Sequence, residues 1–149
     1  MRLLVAVDGS PQSEAALDHA LSLAGATGGS VTVVHAVDPS VYATTGDDPG
    51  GGPEERADRF VVESVDDAEA RGRRLLAAAT ARAAGTDVPV ERALLSGDPR
   101  EVIPEMADSD GFDGLVVGHR NLPERQERVL GSVAKSFVER STVPVTVVS

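Results

Sequence analysis

Short runs of consecutive apolar residues alternate along this chain with longer stretches whose apolar positions recur at helical spacing. RLLVAVD, residues 2–8, is the first run, and it ends in a turn, as a strand covered on both faces does. Ser10-Pro11 opens a helix, with Ser10 as N-cap and Pro11 in the first helical position. Ala16, Leu17, Ala20, Leu21 and Ala24 keep its register, and Gly28-Gly29 stops it. SVTVVHAVD, residues 30–38, predicts the second strand; residues 39–53, closing on PGGGP, predict a loop. A long helix is expected over 54–84, with Val61, Val65, Ala68, Gly72, Leu75, Ala79 and Ala83 as its apolar stripe. Gly72 lies on that stripe, which points to close packing on a sheet. Arg71, Arg73 and Arg74 on the same helix read as a solvated face.

The third strand is expected over 88–96, with GDP turning into a short helix over 100–108. FDGLVVG, residues 112–118, predicts the fourth strand, and a helix follows from Ser132 to Arg140. PVTVV, residues 144–148, is the fifth. The order βαβαβαβαβ, with strand runs of parallel type, predicts one α/β domain: an open, doubly wound, five-stranded parallel sheet with helices on both faces. No linker and no internal repeat divides the 149 residues.

Composition changes the picture in two ways. Cysteine is absent, so disulfides and thiolate metal sites are excluded, and a net charge of −10 argues against a nucleic-acid partner. The charge is also particular in kind: Lys135 is the only lysine, and Asp outnumbers Glu. Such a surface suits an acidic, high-salt (halophile-type) setting, where repulsion is screened within about 3 Å at 1 M. A high-GC codon bias produces the same residue choices. The first apolar run is too short for a signal peptide and meets Asp8 at once. A soluble cytoplasmic protein with no membrane partner is the expectation.

In open parallel sheets ligands gather beyond the carboxyl ends of the strands. Three segments reach that edge: VDGS after strand one, AVD after strand two, and GHRN…LGS after strand four. Asp8 stands where a carboxylate accepts ribose hydroxyls or holds a metal through water; the competing role is a turn carboxylate bonded to nearby amides. Gly131-Ser132 opens the last helix, whose free N–H groups and positive dipole end favour an anion, the competing role being N-capping by Ser132. Gly118 is a second place for backbone to approach a ligand. A P-loop is missing, since Lys135 follows Ser132 instead of preceding it, and no GxGxxG follows strand one. A receiver domain would carry an Asp where Leu95-Ser96 stand. His19, His35 and His119 lack metal-ligand spacing, so no metal site is assigned; His35 reads as a core residue, and His119 is better placed. Neither a general base nor a catalytic lysine is visible, so no catalytic residue is assigned.

At this point the residues match a family. Over nearly its whole length the chain resembles the universal stress proteins, in the branch that binds ATP. VAVDGSPQSEAAL is similar to that family's first strand and turn, and VTVVHAVDP to its second strand. The late motif, G-x-x-G, nine residues, then G-[ST], reads here Gly118, His119, Arg120, Asn121, residues 122–130, then Gly131-Ser132. The resemblance implies a Rossmann-like sheet of the adenine nucleotide alpha hydrolase type, a homodimer pairing the last strands (here residues 143–148), and a pocket for ATP with Mg2+. By position Asp8, within the turn of Val7, Gly9 and Ser10, would meet the ribose, and Val37 would offer backbone groups to adenine. Gly118, Gly131, Ser132 and Val133 would surround the phosphates, with His119, Arg120 and Asn121 in the same loop.

Asn121 departs from the pattern, standing where the family has its second glycine. If that glycine serves through a positive φ, Asn is the best substitute; if it leaves room for phosphate, the side chain intrudes. Three functions follow: an ATP-binding stress sensor or regulator, a dimeric interaction module that has lost the nucleotide through Asn121, and a slow hydrolase or self-phosphorylating enzyme with Ser132 or a loop hydroxyl as acceptor. Binding that appears only in Asn121→Gly separates the second from the first.

Overall fold

A computed structural model describes residues 1–41, 64–119 and 131–149. Its elements run β1 (Arg2–Ala6), α1 (Pro11–Thr27), β2 (Ser30–Val37), α2 (Val65–Ala83), β3 (Val90–Ser96), α3 (Pro99–Ser109), β4 (Gly114–Gly118), α4 (Ser132–Arg140) and β5 (Val145–Val148). The strands form a single sheet in the order β3-β2-β1-β4-β5, and every pairing is parallel. This is the doubly wound architecture that the alternation of runs predicts.

From β1 the chain steps outward through β2 to β3, then returns across β1 to lay down β4 and β5. Right-handed crossovers therefore send the helices to opposite faces. Leu3, Val5, Val31, Val33 and Val116 meet α1 and α2 through Leu17, Leu21, Leu76 and Ala79. Alternate strand residues point the other way: Leu4, Val34, Leu115 and Val117 meet α3 and α4 through Ile103, Ala107, Ala134 and Phe137. Each fully buried aliphatic or aromatic side chain of these two layers stabilises the fold by roughly 1.5–3 kcal/mol. Beyond the carboxyl ends of β1 and β4, where the strand order reverses, a crevice is left.

Local signals account for most element ends. The Ser10 side chain accepts from the Ser13 N–H, Pro11 begins α1, and Gly28 ends it at φ 69°. Gly9, at φ 82°, makes the turn from β1, and a Cβ there would lie 2.7 Å from Leu75 Cδ2. Asp98 caps α3, and the Arg100 guanidinium and backbone N–H hold its carboxyl below the usual range. Across the helices of the first face, the Arg82 guanidinium grips the Asp18 carboxylate with two bonds of 2.8 Å and lowers its pKa in the same way.

Four expectations change. The helix expected over 54–84 begins at Val65, because Ser64 leaves helical geometry and caps it, its hydroxyl accepting from the Asp67 N–H; residues 54–63 lie outside the described residues. Leu76, 2% exposed, holds the stripe position expected of Leu75, which is half-buried and packs toward Gly9. Gly72 does pack on the sheet, since a Cβ would come within 2.9 Å of both His35 and Leu94. Finally, β1, β3 and β4 are shorter than the apolar runs, and α3 starts at Pro99 on its Asp98 cap. Arg73 and Arg74 are exposed, and Arg73 pairs with Glu69 on the same helix.

Candidate functional site

The crevice holds a cavity of 380 Å³, in the range of small-molecule sites. Ala6, Val7 and Asp8 enter it from the end of β1, His35 and Ala36 from β2, and Val117, Gly118 and His119 from β4. Pro99 and Ile103 of α3 and Gly131, Ser132, Val133, Ala134 and Phe137 at the start of α4 close its other walls. Small side chains at the strand ends, Ala6 and Ala36, leave the space, while Ile103 and Phe137 make it apolar.

The turn after β1 satisfies most of its own polar groups. The Asp8 N–H donates to Ser13 Oγ at 3.0 Å, and the Ser10 N–H donates to Asp8 Oδ1 at 2.9 Å. Asp8 therefore does act as a turn carboxylate, and it also lines the cavity, exposed. Val7 is held by its own N–H on Val34 O at 2.9 Å and by its carbonyl, 2.8 Å from His35 Nδ1. A carbonyl only accepts, so His35 carries its proton on Nδ1.

The opposite wall is different. Gly131 is the N-cap of α4 and has no side chain to bond the helix end, and Ser132 is already the first helical residue. The expected capping by Ser132 is thus replaced: a residue inside the helix cannot turn its hydroxyl back onto the N–H groups that follow. The helical ladder begins with the Lys135 N–H on Gly131 O, so the amides of Ser132, Val133 and Ala134 lie ahead of it. The Gly131 N–H donates to His119 Nδ1 at 3.3 Å. Among the described residues lining the cavity none is Lys or Arg, and these amides with the helix dipole favour an anion on this wall.

The family model for the universal stress protein family matches residues 1–149. The chain belongs to the universal stress protein family. The universal stress protein YxiE of Bacillus subtilis is 31% identical over 147 residues, which cover 99% of this chain and 97% of that one. Among solved structures, the universal stress protein UspA from Lactobacillus plantarum matches with a TM-score of 0.76 at 20% identity, over 100% of this chain and 97% of that one. A universal stress protein solved in complex with cAMP matches with a TM-score of 0.71 at 26% identity, over 99% of this chain and 95% of that one.

In this family member the two described motif glycines have separate reasons. A Cβ on Gly118 would lie 2.5 Å from the Gln12 carbonyl carbon and oxygen and 2.8 Å from Ser13 N. Its bareness lets the first turn of α1 rest on the end of β4, and Gly118 also lines the cavity, where backbone was expected to approach a ligand. Nothing lies within 4 Å of a Cβ on Gly131, whose φ of −58° suits any residue. Of the expected site residues, Val7, Asp8, Gly118, His119, Gly131, Ser132 and Val133 come together around the cavity. Gly9 lines a smaller hollow between α1 and α2, and Ser10 stays in its capping role. Val37 is buried away from the cavity with its carbonyl taken by the Gly97 N–H at 2.8 Å; Ala36 stands in its place. Arg120 and Asn121 lie outside the described residues.

Sequence reasoning missed Ser13, Ala36, Ile103 and Phe137. Ser13 is 4% exposed and reaches the turn because α1 begins beneath it. An alanine at the end of β1 and another next to the end of β2 were the one legible sign of a hollow at that edge. No helix among the described residues is long and apolar enough to cross a membrane, and no group of three His, Asp or Glu there can hold a metal.

Proposed function

We propose that this protein binds an adenine nucleotide, ATP with Mg2+ included, in the crevice cavity and acts as a dimeric regulator in the cytoplasmic stress response. One observation carries the reading: a single cavity has an apolar centre, a carboxylate at the β1 side and a helix N-terminus with glycine as its N-cap at the other. Those parts fit a purine, a ribose and a phosphate in turn. A solved universal stress protein 26% identical to this chain is in complex with cAMP, which supports an adenine nucleotide as the ligand class. Mg2+ would arrive on the phosphates of ATP, since Asp8 is the one carboxylate among the described lining residues. That carboxylate already holds the Ser10 N–H, which supports a binding role over rapid turnover.

Calorimetry and thermal shift with AMP and Mg-ATP test the reading. Ligand at a hundredfold excess over Kd stabilises by about 2.7 kcal/mol. For a chain of this size that raises the melting temperature by roughly 5–10 °C. No heat and no shift with millimolar nucleotide would overturn it.

The dimer is expected along β5, an edge strand of the sheet. Pro144 O and Val148 O accept from β4, at the Leu115 and His119 N–H groups. In a parallel ladder alternate residues bond to the same neighbour, so Val145 and Val147 turn their backbone groups to the open edge. Val147→Pro removes an outward donor and leaves the β4 ladder in place. Sedimentation should then report a folded monomer where the parent chain is a dimer; an unchanged dimer would place the interface elsewhere.

A further inference from the structure

We propose that His119 is the residue by which this chain distinguishes a phosphate-bearing ligand from a bare nucleoside, its Nε2–H donating to a phosphate oxygen above the first turn of α4. The inference rests on the nucleotide reading and adds the group that recognises the phosphate.

His119 is 7% exposed and lines the cavity. Its backbone is fixed by its own N–H on Val148 O at 2.7 Å, so the ring starts from a rigid point at the end of β4. Nδ1 lies 3.3 Å from the Gly131 N–H, a group that only donates. Nδ1 must therefore accept, and in the neutral imidazole the proton sits on Nε2. His35 shows the opposite case, with Nδ1 on the Val7 carbonyl and its ring packed against Gly72.

No protein atom among the described residues accepts from Nε2 of His119, and that nitrogen is not sealed within the protein. His119 thus brings a nearly buried ring with an unclaimed donor, among the described residues, to the cavity that Ser132, Val133 and Ala134 also line. The positive end of α4 makes this the anion side of the cavity. The resemblance assigns the Gly131 backbone to the phosphate; here its amide instead fixes the imidazole tautomer, and His119 does the reading. A donor aimed at an ionised phosphate contributes more than one aimed at a neutral acceptor, so the effect falls on the phosphate-bearing ligand.

The test compares AMP and adenosine at pH 8 by calorimetry, on the parent chain, His119→Asn and His119→Gln. Asn keeps an acceptor at the Nδ1 position and loses the reach into the cavity; Gln places an amide donor near the Nε2 position. We expect His119→Asn to lose about tenfold in AMP affinity. Adenosine should stay within about twofold, and His119→Gln should recover most of the AMP loss. Equal losses for both ligands, or no loss for AMP, overturn the proposal and leave the nucleotide reading intact. Nitrogen-15 NMR of the ligand-free protein supplies a second readout: an Nε2–H tautomer is expected, and an Nδ1–H tautomer overturns the role by itself. Failure of the parent chain to bind either ligand would instead overturn the nucleotide reading, and this role with it.

Discussion

Gly118→Ala is expected to destabilise this protein by about 2–3 kcal/mol, although it adds a single methyl group at the surface of a strand end. The reason is what the methyl would meet. The Gln12 carbonyl carbon and oxygen lie 2.5 Å from the added atom and Ser13 N lies at 2.8 Å, all of them backbone. A side chain can rotate away from such a contact, whereas a helix turn must move as a body. Moving the first turn of α1 pulls Ala16 and Leu17, 0% and 1% exposed, from the core and loosens Ser13 from Asp8. A fall of roughly 5–10 °C in the melting temperature is the expected reading. Gly131→Ala is the control, since its Cβ meets nothing within 4 Å and its φ is ordinary. Its loss should stay under about 1 kcal/mol, from the poorer N-cap. Equal losses in the two variants would show that α1 does not rest on β4 as described.

Phe137→Ala should cost more, about 3–5 kcal/mol in urea denaturation. Phe137 is 0% exposed and heads the fully buried side chains in size. It belongs to the buried cluster that also holds Leu4, Val34, Leu115 and Val117 of the sheet and Ile103 of α3. The same ring lines the cavity, so the wall of the site and the core of the second face are one structure. Removing it leaves a void continuous with the ligand space and frees the N-terminus of α4 to shift. AMP affinity should fall alongside stability, while Leu21→Ala, at 6% exposure on the other face, should lower stability alone. A Phe137→Ala loss below 1 kcal/mol would mean that α4 does not seat there.

Much of this was legible in the chain, and the legible parts share a cause. Ser10-Pro11, Asp98-Pro99 and Gly28 mark helix ends because a cap is a contact between neighbours in sequence. The alternation of runs and stripes fixes a doubly wound sheet because connections are short and right-handed. Even Ser64 carried a readable sign, a serine three residues before Asp67, which the continuous apolar stripe across it obscured. Leu75 and Leu76 are both compatible with helical spacing, and only packing chooses Leu76.

By itself, then, the sequence determined the elements, their order, the family and the edge of the sheet where a ligand belongs. The tertiary structure decided which residues face that ligand. Gly118 leaves room for α1, the Val37 carbonyl accepts from Gly97, Ala36 and Phe137 shape the hollow, and His119 accepts at Nδ1 from Gly131. Each of these depends on atoms brought together by the fold from distant parts of the chain. A motif records residue types and spacing; which backbone groups are already occupied, and which way a ring presents its proton, exist only once the elements have packed.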